Sequence, residues 1–513
     1  MYTEEQIKNL ENRVLELEHE NKNLHETVDF LTRKLFGRSS EKTSVITGQV
    51  SFFDEAEVEC SSSAPEPTLQ EVVNYRRKKF NGQRAELLKD LPRYTVICAL
   101  SADELFCEKC GTELISIGKE LIRTEIEFIP AKVRVIDYYR ESYECRKCRK
   151  EGLPYIEKSP MPYPVVQHSM ASPSTVAHVM HQKFVNALPL YRQEKEWESL
   201  GVKLSRSTMA NWIMVASENW LKPLTDLMQR KLVEEKYLHA DETPVQVLME
   251  PGRKNTSDSY MWVYSTYTGS NKPIRLFDYQ PSRSGDCPQK FLSGFKGFLH
   301  TDAYSGYNKV PGITRCFCFA HLRRYFVEAI PKDINSPEAT LPSKGMDFCN
   351  KLFEIEKTLI NLKAEERKSK RLETEMPILE AFWSWLNSIR STCLPKSKIG
   401  KAIEYALNHK EGFMNYLLDG NCVISNNVAE NSIRPFTIGR KNWLFSGSPK
   451  GAKASAVVYS IIETAKANDL EPYTYLEFLF KQLPGVQFEA HPEFLEEFLP
   501  WHPWVQESCK KNS

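Results

Sequence analysis

The chain has 513 residues, 41% hydrophobic and 26% charged, the composition of a soluble globular protein with several domains, each long enough to bury its own core. Its 68 Lys and Arg balance 67 Asp and Glu to a net charge of +1, so no global field draws it to nucleic acid and any such binding must come from local patches. No segment is apolar enough to span a bilayer, the N-terminus lacks an apolar signal core, and most of the 13 Cys are scattered, which excludes a membrane protein and a secreted disulfide framework and leads us to expect a cytoplasmic location.

In chain order, Ile7, Leu10, Val14, Leu17, Asn21, Leu24, Val28, Leu31 and Leu35 alternate steps of three and four. This is a heptad seam, and it predicts a coiled coil over 1–38. Leu at d positions with a single polar Asn21 at an a position favours a parallel homodimer over an amphipathic helix packed on its own chain. Residues 39–75 are rich in Ser, Glu and Pro and read as a flexible linker.

Residues 76–160 hold Cys107-x-x-Cys110 and Cys145-x-x-Cys148. Two such pairs in a reducing cell suit one structural zinc ion held by four thiolates in a small β domain. Alternating runs Leu121–Ile129 and Val133–Tyr143, separated by Pro130, read as a hairpin joining the knuckles. Over 165–220 the text reads as a helix-turn-helix segment. Ser172-Pro173 opens a helix, Leu190–Leu200 forms a second, and Ser205 caps a third from Arg206 to Ser217. Arg206, Ser207, Thr208 and Asn211 are then DNA-binding candidates at the start of a recognition helix.

From 221 to 468 strand-like runs succeed one another: Lys236–Leu248, Tyr260–Ser265, Pro273–Asp278, Phe295–Asp302 and Thr314–Phe319. Three hairpin-connected strands followed by two separated ones is the order of an α/β ribonuclease-H-like sheet. A Lys-, Glu- and Leu-rich helical insertion is expected over about 330–420, and 469–513 reads as a small α-helical C-terminal domain.

Asp241 and Asp302 close two of the apolar runs. Glu430 sits in a segment expected to be helical, with a Ser cap signal at Ser425 and Pro435 as its end. Two strand-end aspartates and a helical glutamate are what two Mg²⁺ ions need to clamp the attacking and leaving oxygens of a phosphodiester. Glu242 and Asp278 compete for these places, and the pattern alone does not choose.

The surrounding words do. His239-Ala-Asp-Glu-Thr-Pro244, Thr301-Asp-Ala-Tyr-Ser-Gly-Tyr307, Ala320-His-Leu-Arg-Arg-Tyr-Phe326 and Asn426-Asn-Val-Ala-Glu-Asn-Ser-Ile-Arg-Pro435 resemble the bacterial insertion sequence 66 family of transposases. So do Leu35-Phe-Gly-Arg-Ser-Ser-Glu-Lys42, the Cys pairs, Gly439-Arg-Lys-Asn-Trp-Leu-Phe445 and Leu499-Pro-Trp501, so the resemblance runs nearly end to end. It implies a multidomain DDE-type transposase with a zinc-binding N-terminal domain. The catalytic, Mg²⁺-binding trio is then Asp241, Asp302 and Glu430 on a ribonuclease-H-like fold, acting on transposon ends and target DNA, with small accessory proteins of the same element as possible partners. Arg434, Arg440 and Lys441 join the DNA-binding candidates as local basic groups near Glu430. Two other readings stand beside this one: a zinc-containing DNA-binding regulator derived from an inactive transposase, and a two-metal nuclease without strand transfer.

A peptide covering Met1–Phe36 is expected to be helical and dimeric, with melting that depends on concentration. Asn21→Leu should raise its stability while loosening its oligomeric state, read by circular dichroism and sedimentation. A monomer at high concentration would reject the coil.

Overall fold

A computed structural model of the protein describes residues 131–150, 156–331 and 340–510, with scattered positions between 95 and 121. The expected coiled coil, the linker, Cys107 and Cys110 lie outside the described residues. The chain divides into two compact units. One holds residues 162–198 and those described from Lys203 onward, and the other holds the described residues before 162 with Ser199–Val202.

In the smaller unit, β1 (Ser142–Glu144) pairs antiparallel with β2 (Ile156–Lys158), and α1 (Arg146–Lys150) directly follows Cys145. This corrects the expected strand over Val133–Tyr143. Residues 131–140 are exposed and irregular, and pairing begins only at Ser142, with a partner drawn from the Pro-rich connector. Apolar alternation stabilises a strand where one face is buried, and this stretch buries none.

The larger unit opens with α2 (Pro173–Phe184), whose Ser172 cap accepts the Thr175 N–H at 3.2 Å while Pro173 fills a first-turn position that needs no donor. α3 (Leu190–Ser199) and α4 (Arg206–Ala216) follow, with Ser205 capping α4 through Thr208 N. Met209, Trp212, Ile213 and Ala216 form the buried stripe of α4. One π-helical turn, Ser217–Leu221, leads into α5 (Lys222–Leu232) and falls where Pro223 cannot donate a backbone hydrogen bond.

The sheet is built on β3 (Tyr237–Val247), whose first four residues are all buried, as befits a strand covered on both faces. β4 (Asp258–Thr266) and β5 (Arg275–Gln280) extend it antiparallel on one side. After α6 (Asp286–Phe291), β6 (Phe298–Thr301) and β7 (Thr314–Phe317) extend it parallel on the other, giving the order β5-β4-β3-β6-β7. The chain then forms α7 (Phe319–Ala329) and a helical insertion of α8 (Leu341–Leu359), α9 (Ala364–Thr374), α10 (Met376–Ile389), α11 (Lys398–Asn408) and α12 (Lys410–Met414). It returns through α13 (Asn427–Trp443), β8 (Phe445–Ser446), which pairs with the far end of β3, and α14 (Pro449–Ala467); α15 (Pro472–Gln482) and α16 (Pro503–Cys509) close it. Among the described residues no helix is long and apolar enough to cross a membrane.

Hydroxyls on α14 complete the outer edge of the sheet. Ser460 Oγ accepts the Phe277 N–H at 2.7 Å, and Thr464 Oγ1 both accepts from Arg275 N and donates to Arg275 O, each at 3.0 Å. At the other edge α12 packs on β7, and Asn415 Nδ2 donates to Arg315 O at 2.8 Å.

The insertion packs Phe326, Phe353, Phe382, Trp383 and Phe413 into one core with the β7–α7 junction. At its base the buried Arg371 guanidinium holds Glu356 by two bonds of 2.6 and 2.7 Å. Burial and the nearby Glu356 charge raise the Glu375 carboxyl from its ordinary 4.5 to about 8, although the Tyr416 hydroxyl, donating to it at 2.6 Å, and Arg371 act the other way. A carboxyl whose folded pKa lies above its unfolded one favours the folded state while protonated, so stability falls as pH rises through that interval. Glu375→Gln removes this dependence. Its stability relative to the parent should be smallest near pH 4 and grow up to about pH 8, read by urea denaturation across that range.

Candidate active site

Asp241 lies on the central strand. The parallel register that pairs Leu238 with Leu299 and His239 with His300, carried two residues further, sets Asp302 opposite it, just beyond the end of β6. Asp241 lies within β3 rather than at a strand end, and the Glu242 N–H donates to its Oδ1 at 2.8 Å; Asp302 starts a turn in which the Tyr304 N–H donates to its Oδ1 at 3.0 Å. Arg315 braces the Asp302 turn by donating to Thr301 Oγ1 (2.8 Å) and Asp302 O (2.7 Å).

Glu430 stands in the first turn of α13, where the helix dipole favours a carboxylate. Asn426, the residue before the helix, fastens that turn to the sheet. Its backbone carbonyl accepts the Glu430 N–H at 3.2 Å, its Nδ2 donates to Ala240 O at 2.9 Å, and its Oδ1 lies 2.9 Å from His239 Nδ1. Burial, then the stacked His300 ring 4.5 Å away, keep the His239 pKa well below 6.5, so the neutral ring donates to Asn426. The Asn426 N–H donates to Cys318 Sγ at 3.1 Å, adding the start of α7 to the same junction. The helix therefore begins at Asn426 rather than with a Ser425 cap, and Pro435 lies inside it rather than at its end. Tertiary bonds outweigh the proline's local cost: Ser265 Oγ donates to Ser432 Oγ at 3.2 Å and Arg440 Nη1 donates to Thr243 Oγ1 at 3.1 Å.

Basic groups line the acids. Arg283 lies 2.9 Å from Glu242 and 4.0 Å from Asp302, Arg324 lies 3.9 Å from Glu430, and His321 Nδ1 lies 3.4 Å from Glu430 Oε1. Burial disfavours the charged His321 ring, but the Cys318 sulfur and the Glu430 carboxylate outweigh it and raise its pKa well above 6.5. The competing acids have other settings. Glu242 is buried, paired with Arg283 and bonded by the Tyr307 hydroxyl. Asp278 lies on β5, separated from β3 by β4, and burial raises its carboxyl to about 6.

Among the other expected site residues, Arg206, Ser207 and Asn211 are exposed at the start of α4, while Thr208 is half-buried and shares a hydrogen bond with Ser205. Arg434 and Lys441 are exposed on α13. Arg440 departs from expectation: it is 1% exposed and holds α13 to β3, so its guanidinium is not available to a phosphate. Cys145 is half-buried, Cys148 lies in α1, and their two partners fall outside the described residues. Arg283, Cys318 and Asn426 carry no local sequence signal for these places; His321 and Arg324 stand three residues apart, one helical turn, and that spacing is the signal the sequence offers for them.

The chain belongs to the IS66 family of transposases. The profile described as "Transposase IS66 family" matches residues 168–454, more than half of the chain. Flanking matches are the zinc-finger binding domain of transposase IS66 over 104–149, the IS66 C-terminal element over 460–501, and "Transposase C of IS166 homeodomain" over 23–96. Similar proteins include the uncharacterized protein y4hP of Sinorhizobium fredii, 29% identical across 94% of this chain and 88% of that protein. The uncharacterized protein y4jD of the same organism is 29% identical across 93% of this chain and 94% of its own length. The family carries DNA as the partner and zinc as a bound metal.

Asn426→Ala leaves the Ala240 carbonyl and the His239 N–H unpaired in a buried setting. Unfolding free energy should fall by about 2–4 kcal/mol. Guanidinium titration measures this, and Asn426→Gln should not restore it, because the longer amide misses Ala240 O.

Proposed function

We propose that the protein is a DDE-type transposase that cleaves and joins DNA at its element's ends by two-metal chemistry on a ribonuclease-H-like domain, with Asp241, Asp302 and Glu430 as the metal-holding trio. The observation that carries this reading is the strand register that sets Asp302 opposite Asp241, together with the Asn426 junction that fastens the first turn of α13 to β3. A five-strand path in which β4 alone runs against the others, with β3 central and β6 and β7 parallel to it, is also the topology that such a domain requires.

The donor set fits Mg²⁺. The acids offer hard oxygens, and the Asp302 and Glu430 side chains keep 15% and 12% exposure. Divalent ions held there would supply activation of the attacking water or 3′-hydroxyl and charge stabilisation of the leaving oxygen. Asp241, Asp302 and Glu430 would hold the ions together. Arg283 and Arg324 offset carboxylate repulsion and stand where a phosphate arrives, and charged His321 orients Glu430. The exposed residues of α4, with Arg434 and Lys441, contact the DNA backbone and bases. A homodimer formed through residues 1–38 pairs two element ends, and accessory proteins of the same element assist.

Asp241→Asn, Asp302→Asn and Glu430→Gln should each lower Mg²⁺-dependent cleavage and joining of element-end DNA to below about a thousandth of the parental rate. Folding and end binding should persist, as followed by gel assay and filter binding. Glu242→Gln and Asp278→Asn should retain measurable activity. Robust cleavage by Glu430→Gln would reject the trio.

A further inference from the structure

Beside the acids lies a second group of donors that the proposed chemistry does not use. His300 on β6 and Cys316 on β7 are directly paired in the parallel register, so their side chains leave the sheet on the same face. Cys422 reaches them from the segment returning from the helical insertion, after a turn in which its N–H donates to Asp419 O at 3.1 Å. The three are buried to 2%, 1% and 0% exposure, and their ligand atoms all lie within 4.8 Å of one another.

The geometry points to a second zinc site in this chain, with Cys316 Sγ, Cys422 Sγ and His300 Nε2 as its protein ligands and a water in the fourth position. Thiolates and imidazole are soft to borderline donors that select Zn²⁺ and pass over Mg²⁺, so this group does not compete for the ions of the carboxylate trio. Charge supports zinc as well. Two thiolates and a neutral imidazole cancel a divalent ion, so the loaded site is neutral where a net charge would be costly. Zinc bonds of about 2.3 Å to sulfur and 2.0–2.1 Å to nitrogen place tetrahedral ligands roughly 3.5–3.8 Å apart, within reach of the present spacing by small side-chain rotations.

The imidazole is already oriented for ligation. Its Nδ1 lies 3.4 Å from Leu238 O, and a proton held on that side leaves Nε2 with the lone pair. At present Nε2 accepts the Val423 N–H at 3.1 Å, and zinc takes that lone pair while the amide turns to a thiolate. The ion would tie together β6, which ends at Asp302, β7, which leads into α7, and the segment that enters α13. This site stands apart from the Cys107, Cys110, Cys145 and Cys148 set and does not rest on the catalytic reading.

The test is a zinc count on the full chain, purified under reducing conditions and desalted after incubation with zinc salt. The parent should hold about two zinc ions per chain, and a variant with Ser at Cys107, Cys110, Cys145 and Cys148 should keep one. Adding Cys422→Ser or Cys316→Ser to that variant should remove it. Alkylation mapped by mass spectrometry on the four-serine protein gives a second readout that does not depend on the folding of those last variants. Cys316 and Cys422 should resist modification until a chelator is added, while Cys349 should not respond to the chelator. Co²⁺ in place of zinc should give the four-serine protein a thiolate charge-transfer band. A four-serine protein that holds no zinc, or keeps its zinc after Cys422→Ser, would overturn the site.

Discussion

One buried amide joins the parts of this protein that must meet. Asn426 donates to the main chain of β3 at Ala240, accepts from His239, and through its own N–H reaches Cys318 at the start of α7. A buried side-chain amide with satisfied donors and acceptors is worth more than its net hydrogen-bond energy, because any rearrangement strands polar groups away from water. The strand bearing Asp241, the helix bearing Glu430 and the helix bearing His321 and Arg324 are therefore held in a single relative position.

The insertion is compatible with that precision because it closes on itself. The Phe319 N–H, at its entrance, donates to Ile424 O, at its exit, at 3.0 Å. Beside that neck Asp419 Oδ2 accepts from Lys236 Nζ at 2.8 Å and from the Tyr237 hydroxyl at 2.7 Å, so the start of β3 is fixed to the returning chain. Arg371, buried between helices, also donates to the carbonyls of Tyr416 and Asp419. The long sequence separation between Asp302 and Glu430 is thus cancelled in space by bonds at the base of the insertion, and helices beyond that base have little leverage on the acids.

The strand carrying Asp241 and the one leading to Asp302 were legible because buried strands print as continuous apolar runs, although Asp241 falls inside its strand rather than at the end, and the helices around Ser172 and Ser205 because caps leave residues of a known kind at a known place. Other features depend on partners far away in sequence and leave no local trace. Pro435 reads as a helix end, yet Ser265 and Thr243, more than a hundred residues earlier, hold the helix through it. Arg440 reads as a solvated cation in a basic word and is instead drawn inside by Thr243 and the Phe436 ring. Arg283 sits in a short loop with no pattern around it, and only the folded chain brings it to Asp302 and Glu242. The apolar alternation of 133–143 misleads for the converse reason, since it has no second surface against which to pack.

The two outer strands of the sheet are both occupied, β5 by the hydroxyls of α14 and β7 by α12 and Asn415. An uncapped strand is an invitation to a foreign backbone and a route to uncontrolled stacking of chains. With both margins taken, copies cannot be recruited by extending the sheet through those main-chain groups. Any association between copies would have to be written in side chains or in segments outside the sheet, where geometry and number are set by sequence rather than by the generic adhesiveness of peptide groups.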